Sequence, residues 1–254
     1  MKYCSIGVVH YSRTDDWPDT PDASPSRSAA MKRSLESLIE NTDYPAEIIV
    51  FDNGGNPDDS EYLLNLAREK KISTYVRYAD NMSFAFAWNQ FLRIASGDYL
   101  CFTCNDIVYE KGWLGACISL LEKYSDRKLI AAPYITPDKD KQNFNKEVLE
   151  DARINSMAGS NCMIMTPEVY KDIGEMPHYR IGGSVWHRMM VRAGYLVIIP
   201  PKDMVNHIGY RKGVDWRRPT DVSKTLLHGK ADFNYRTVHK SIFGGNQKPP
   251  GIKL

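Results

Sequence analysis

The stretch that decides the fold is Glu47–Asp58, EIIVFDNGGNPD. Its first part, Glu47–Phe51, is a short apolar run rich in β-branched residues, which is typical of a buried strand. The run stops at Asp52–Gly55, Asp-Asn-Gly-Gly, a strong turn sequence because Asn and Gly accept the backbone angles of tight turns. A buried strand that ends at such a turn and is followed by a helical pattern indicates a βα unit.

The same alternation extends on both sides of this stretch. Upstream, Lys2–Tyr11 predicts a buried strand, residues 14–27 a loop and Ser28–Asn41 a helix. Downstream, the pattern predicts a helix, a strand, a helix and a strand at Ser60–Lys71, Ile72–Tyr78, Ser83–Ser96 and Tyr99–Thr103. This order predicts a parallel sheet with right-handed crossovers.

Polar residues follow three of these strands, at His10–Arg13, Asp52–Gly55 and Cys104–Asp106. Ligands of such sheets bind at the carboxyl ends of the strands. We therefore expect these three groups to lie at one binding edge.

The second half of the chain is less regular. Helices are predicted at Gly112–Tyr124, Pro167–Ile173 and Ser184–Ala193, with Thr166 as an N-cap and Gly194 as a terminator. Strands are predicted at Leu129–Tyr134, Ser156–Met165 and Tyr195–Ile199, and an exposed loop at residues 136–151.

Composition is that of an ordinary globular protein: 254 residues, 43% hydrophobic and 25% charged. The five cysteines do not form a disulfide framework, and the Cys101-x-x-Cys104 pair has no second pair to complete a zinc site. The first residues do not resemble a signal peptide, and no run approaches 18 apolar residues. We expect a cytoplasmic protein with no transmembrane segment.

The charge is unevenly distributed. Residues 201–254 hold 11 Lys and Arg against 4 Asp and Glu, although the whole chain has a net charge of only +2. Trp216, Phe233 and Tyr235 lie among these basic residues. Such a segment is either a solvated tail or a surface for phosphates or nucleic acid.

Five segments, in order, resemble one family, the GT-A glycosyltransferases, in particular those of family 2. They are EIIVFDNGGNPD (Glu47–Asp58), NMSFAFAWN (Asn81–Asn89), SGDYLCFTCNDIVYEKGWL (Ser96–Leu114), GSNCMIMTPEVYKDIGEM (Gly159–Met176) and RAGYLVIIPPKDMVNHIG (Arg192–Gly209). The resemblance implies an α/β GT-A (Rossmann-like) fold, a mostly parallel sheet flanked by helices. It also implies one domain at 1–210, with a nucleotide-binding half (1–106) and an acceptor-side half (107–210), followed by a basic extension at 211–254.

The resemblance further implies a metal-dependent transfer of a hexose from a nucleotide-sugar, with UDP as the default nucleotide. A divalent cation, Mn²⁺ or Mg²⁺, would neutralise the leaving diphosphate. The family's Asp-x-Asp motif corresponds here to Cys104-Asn105-Asp106, so the first acid is missing. Asp106 is then the expected metal ligand, and His207 a further one, since Mn²⁺ also accepts imidazole. Each is otherwise a turn residue or a structural histidine.

The predicted donor-binding residues follow from the same comparison. Asp52 is expected to contact the base or ribose, unless it only forms the turn, and basic residues just after His207 are expected to clamp the diphosphate. The full set is His10, Tyr11, Arg13, Asp52, Asn53, Asn81, Asn105, Arg211 and Lys212.

The catalytic base is not evident. Inverting members of the family commonly carry a Glu-Asp pair some twelve residues before the Gly-Tyr, and residues 179–186 contain no acid. Three interpretations stay open. Another acid serves (Glu175, Asp203 or Asp215), the reaction retains configuration although inversion is favoured, or the protein is a degenerate module that binds a nucleotide or sugar.

The acceptor is also open: a glycan, or a hydroxymethylated base in DNA recognised through the basic C-terminal region. A nucleotidyltransferase shares a similar sheet, but His10–Thr14 lacks the Gly-rich loop expected after the first strand.

Overall fold

The computed structural model describes residues 1–12, 27–134, 145–156, 161–177 and 182–208. They belong to one compact unit, Met1–Val214, and the second unit, Asp215–Leu254, lies outside the described residues. The helices are α1 Arg27–Asn41, α2 Pro57–Arg68, α3 Phe84–Ile94, α4 Trp113–Lys123, α5 Pro167–Ile173 and α6 Gly182–Arg192. The strands are β1 Cys4–His10, β2 Ala46–Asn53, β3 Thr74–Tyr78, β4 Tyr99–Cys104, β5 Ile107–Tyr109, β6 Leu129–Ala131, β7 Asn145–Val148, β8 Arg153–Asn155, β9 Cys162–Met165, β10 Leu196–Ile199 and β11 Val205–His207.

Nine strands form one sheet in the order β3-β2-β1-β4-β9-β6-β10-β8-β7. The first four are parallel, as predicted, and their carboxyl ends are level: His10 lies opposite Asp52, and Val9 opposite Cys104. Strand β9 runs antiparallel to both β4 and β6, whereas β6 and β10 are parallel. Strands β1, β2, β4 and β10 therefore run in the same direction, and all four end at one edge of the sheet, the carboxyl edge.

Helices cover both faces of this sheet. Leu35 of α1, Leu63 of α2 and Trp113 of α4 are buried in the core on one face. Phe91 of α3 and Trp186 of α6 are buried in the core on the other. Helix α3 packs so closely on β1 that a Cβ at Gly7 would lie 2.6 Å from the Phe91 ring. Among the described residues, no helix is both long and apolar enough to cross a membrane.

The structure departs from the sequence-based elements at short strands. Strands β5 and β11, three residues each, form a separate antiparallel pair that was not predicted. The expected loop at 136–151 is wrong over Asn145–Val148, which is strand β7 paired with β8. Runs of three or four residues are too short for hydrophobic periodicity to mark them.

Helix α2 begins three residues earlier than predicted. Asn56 is its N-cap, with the side-chain oxygen accepting a hydrogen bond from the Asp59 amide at 2.9 Å, and Pro57 occupies the first turn. The early start places Asp59 and Ser60 beside the ends of β1 and β2.

Candidate active site

The short β5–β11 pair brings two distant residues together. His207 lies opposite Ile107 in this pair, and the Ile208 amide donates to the Asp106 carbonyl at 2.9 Å. As a result, His207 Nε2 lies 3.1 Å from Asp106 Oδ2, across 101 positions of sequence. The Asn161 side-chain nitrogen lies 3.1 Å from the other ring nitrogen, Nδ1. An amide nitrogen can only donate, so Nδ1 accepts and Nε2 donates to Asp106.

The arrangement around Asp106 fits a divalent cation in part. Its second oxygen, Oδ1, is buried without a hydrogen-bond partner among the described residues, which is costly for a carboxylate unless a cation or ligand completes it. Ligands at adjacent corners of an octahedron, each about 2.1 Å from the ion, lie about 3 Å apart. The measured separation of Oδ2 and Nε2 matches this spacing. For Nε2 to bind a cation, its proton would have to move to Nδ1. The described part of the chain has no group of three or more acidic, His or Cys side chains placed to hold a metal ion.

A buried polar cluster lies behind this pair. His10, fully buried at the end of β1, places Nδ1 2.8 Å from the Asn105 side-chain nitrogen and Nε2 3.1 Å from Asp59 Oδ2. Asp59 also accepts hydrogen bonds from the hydroxyls of Ser12 and Ser28. Burial raises the pKa of Asp59, but the hydrogen bonds from His10, Ser12 and Ser28 outweigh it, so the pKa lies well below its usual range. Asp59 is therefore a carboxylate that joins β1, α1 and α2.

Asp52 is equally buried, and both of its oxygens accept hydrogen bonds from the protein. Oδ1 binds the Gly55 amide at 2.7 Å, and Oδ2 binds the hydroxyls of Ser60 and, at 2.9 Å, Tyr75. Burial and this bond raise the pKa of Tyr75 to about 12, which keeps its hydroxyl a donor. In this structure Asp52 shapes the turn; its predicted contact with the nucleotide stays a prediction.

Asn53 and Asn81 bind each other rather than facing apart. The Asn53 amide donates to Asn81 Oδ1 at 2.9 Å and accepts from the Met82 amide at 2.9 Å. Gly54 makes this approach possible, because a Cβ there would lie 2.7 Å from the Asp80 carbonyl carbon, and its φ is +79°. The two asparagines thus fasten the turn after β2 to the segment before α3.

The three weak candidates for a catalytic base are not brought together. Glu175 is bound by Arg93, at 2.6 Å, in the last turn of α3, which is the end of the helix away from the carboxyl edge. Asp203 lies in the segment between β10 and β11, four residues before His207, and pairs with Arg153 at 3.6 Å. Asp215 lies outside the described residues.

Of the other predicted donor residues, Tyr11 is half-buried after β1, with the Arg27 guanidinium carbon 6.0 Å from its ring centre. Arg13, Arg211 and Lys212 lie outside the described residues.

The family model described as glycosyl transferase family 2 matches residues 26–181, more than half of the chain. The chain belongs to glycosyl transferase family 2. No curated protein matches it in sequence.

Solved structures show the fold of this family 2 chain. One is a crystal structure of GalNAc-T7 with UDP, GalNAc and Mn²⁺, with a TM-score of 0.64 and 14% identity over 87% of this chain; only 45% of that protein is covered. Another is the mannosyltransferase PcManGT from Pyrobaculum calidifontis in complex with GDP-Man and Mn²⁺, with a TM-score of 0.64 and 17% identity over 90% of this chain and 68% of that one. The predicted GT-A fold and family resemblance are confirmed.

Two residues of the site were missed from the sequence. The sequence could have indicated Asp59, because Asn56 lies three residues before it. That is the spacing of a capped helix start, which places Asp59 in the first turn. Nothing in the sequence around Asn161 indicates that its side chain meets His207.

Proposed function

We propose that this family 2 chain is a metal-dependent glycosyltransferase that moves a sugar from a nucleotide-sugar to an acceptor hydroxyl. The observation that carries the proposal is the Asp106–His207 pair, in which one buried carboxylate oxygen has no hydrogen-bond partner in the part of the chain that the structure describes. Asp106 and His207 would hold Mn²⁺ or Mg²⁺, and their imidazole favours Mn²⁺. When bound, the cation neutralises the charge that develops on the leaving diphosphate.

The transfer breaks the bond between the sugar C1 and the diphosphate oxygen and forms one between C1 and the acceptor oxygen. The hydroxyl proton must pass to a base. Among the described residues, Asp203 is the candidate base at the same edge of the sheet. It lies just before β11, the strand that ends at His207. Its side chain is about half exposed, and Arg153 is its one ion-pair partner among the described residues, so it is available to an acceptor at this edge.

The buried residues would act by shaping the donor site. Asp52 holds the turn after β2, and Asn53 with Asn81 holds the segment after β3. These contacts support a fixed backbone around the nucleotide site. The half-buried side chain of Tyr11 is the aromatic group at this site. The nucleotide itself is open, since GalNAc-T7 is described with UDP and the mannosyltransferase with GDP-Man.

The proposal is tested by donor turnover. UDP- and GDP-sugars are incubated with the protein and Mn²⁺, and release of the nucleoside diphosphate is measured. We expect release with one nucleotide, its loss with EDTA, and a decrease of about 100-fold or more in Asp106→Ala. Asp126→Ala, an exposed charge after α4, is the control and should match the wild type.

Three other results are informative. Binding of a nucleotide-sugar without any turnover would favour the non-catalytic module, for which the absence of acids at 179–186 is the motive. Turnover that is unaffected by Asp106→Ala would contradict the metal site. Loss of transfer with retained donor hydrolysis in Asp203→Asn would support Asp203 as the base.

For the acceptor, the excess of basic residues over 201–254 favours a polyanion, and we propose a hydroxymethylated base in DNA alongside a glycan. Transfer of labelled sugar to a hydroxymethylcytosine oligonucleotide, compared with the unmodified oligonucleotide and with oligosaccharides, separates the two. DNA affinity at low salt no higher than that of a charge-matched protein would remove the DNA acceptor.

A further inference from the structure

The dipeptide Asn105–Asp106 is bound on both sides by an imidazole. His10 binds the Asn105 side chain through Nδ1 and Asp59 through Nε2. His207 binds the Asn161 side chain through Nδ1 and Asp106 through Nε2. Each histidine thus has an amide side chain at Nδ1 and a carboxylate at Nε2, and the two rings contact adjacent residues, Asn105 and Asp106.

The His10 side of this arrangement is closed to substrate. His10 and Asp59 are both 0% exposed, and Ser12, which also binds Asp59, is 2% exposed. Asn56 adds a bond from its amide nitrogen to Ser12 at 2.9 Å. A histidine so enclosed cannot touch the nucleotide base, in contrast to its predicted place among the donor-binding residues, but it can fix what lies in front of it.

Asn105 is that group. It belongs to the turn between β4 and β5, and its side chain reaches back 95 positions to His10 while the next residue carries the carboxylate that faces His207. Because side chains on a turn share its backbone, holding Asn105 limits where Asp106 can point. The partner of a metal-ligand segment commonly sets the ligand's orientation.

We propose that His10 is a positioning residue: the bond between its Nδ1 and the Asn105 side chain holds the turn at 104–106 so that the Asp106 carboxylate faces His207. The consequence for cation binding rests on the proposed function, whereas the consequence for the His207–Asp106 contact does not. His10 acts through Asn105 and touches no reactant.

Two amide variants distinguish the contacts of the two ring nitrogens of His10. His10→Asn leaves an amide group near the position of Nδ1, so the bond to Asn105 is kept and the bond to Asp59 is lost. His10→Gln leaves an amide near the position of Nε2, so the bond to Asp59 is kept and the bond to Asn105 is lost. Asn105→Ala removes the half-buried amide and leaves His10 on Asp59, which keeps the test usable if either histidine variant fails to fold.

The first readout is the ¹⁵N chemical shifts of the His207 imidazole in metal-free protein. We expect them to change in His10→Gln and Asn105→Ala and to stay at the wild-type values in His10→Asn. The second is a titration with Mn²⁺ alone, followed by paramagnetic broadening of the His207 signals. We expect His10→Gln to need about tenfold more Mn²⁺ than the wild type and His10→Asn to need the wild-type amount.

A purely structural role gives a different pattern, in which both histidine variants disturb His207 in proportion to their lost stability, measured by urea unfolding. That pattern, or wild-type His207 shifts in all three variants, overturns the proposal. If Mn²⁺ fails to broaden His207 in the wild type, the metal role in the proposed function is overturned, and the metal-free shifts still decide the role of His10.

Discussion

At the scale of single residues, Asp106 has two oxygens with different surroundings. Oδ2 faces His207 Nε2 at 3.1 Å, and Oδ1 is buried with no hydrogen-bond partner within the described ranges. An unpaired buried polar group costs about 1–3 kcal/mol, and more when it is charged. Such a cost is consistent with a position kept for binding rather than for stability.

Asp59 is the opposite case, a carboxylate with every near neighbour donating. The pKa of Asp59 in the folded state lies below the ordinary 3.8, so the unfolded chain binds the proton more tightly. The free energy of unfolding therefore decreases as the pH is lowered. We expect Asp59→Asn to lose about 2 kcal/mol of unfolding free energy above pH 5, the scale of hydrogen bonds to a charged group. The difference from the wild type should shrink as the pH falls below about 4.

Urea unfolding at a series of pH values measures this difference. Asp58→Asn, an exposed neighbour in the first turn of α2, is the matched control and should show little loss. A difference between Asp59→Asn and wild type that is the same at pH 3 and pH 7 would contradict the assignment of Asp59 as the ionised centre of the cluster.

At the scale of elements, sequence periodicity was sufficient for the first half of the sheet. Strands β1, β2 and β4 and helices α1 and α3 lie within a few residues of their predicted bounds, because each is long and ends at a clear turn or cap. Sequence periodicity could not predict the pairing of β5 with β11, since two strands about a hundred residues apart share no local sequence pattern. Asp106 and His207 were nevertheless both predicted as metal ligands, because the family resemblance supplied them, and that role stays a prediction.

Helix α3 begins at a strained residue. Ser83 has φ 86° and ψ 154°, a region that only glycine adopts readily. Its hydroxyl accepts a hydrogen bond from the Phe86 amide as an N-cap. Glycine relieves strain of about 1–3 kcal/mol and costs a few tenths as a cap. We expect Ser83→Gly to raise the unfolding free energy by about 1 kcal/mol.

Ser83→Ala is the control for this prediction, because it keeps the strain and loses the cap. It should lower the unfolding free energy by about 1 kcal/mol. If both variants destabilise the protein equally in urea unfolding, the backbone at Ser83 is not strained in solution.

At the scale of the whole molecule, the core holds five thiols, none of them in a disulfide. Burial raises the pKa of four of them, Cys4, Cys101, Cys104 and Cys117, so few are thiolates at neutral pH. We expect Ellman's reagent to label the native protein slowly, first at the half-buried Cys104, and to find five thiols after unfolding. Cys104→Ser should remove the first phase.

Prompt reaction of two or more thiols in the native protein would contradict this packing.

The two halves of the sheet meet at β4 and β9, and the candidate site is built from both halves: Asp106 follows β4, and His207 ends the last described strand. Neither half contains the site alone, so metal binding should depend on the intact unit.

The measurement that tests the central claim most directly is a thermal-shift panel. UDP, GDP, CDP and dTDP are each added with and without Mn²⁺ to wild type, Asp106→Ala and the control Asp126→Ala. A ligand that binds only the folded state raises Tm according to its concentration relative to Kd. The account predicts that one nucleotide raises Tm only with Mn²⁺, and that Asp106→Ala alone loses the effect. No shift with any nucleotide, or a shift that Asp106→Ala retains, would contradict a metal-dependent donor site at Asp106 and His207.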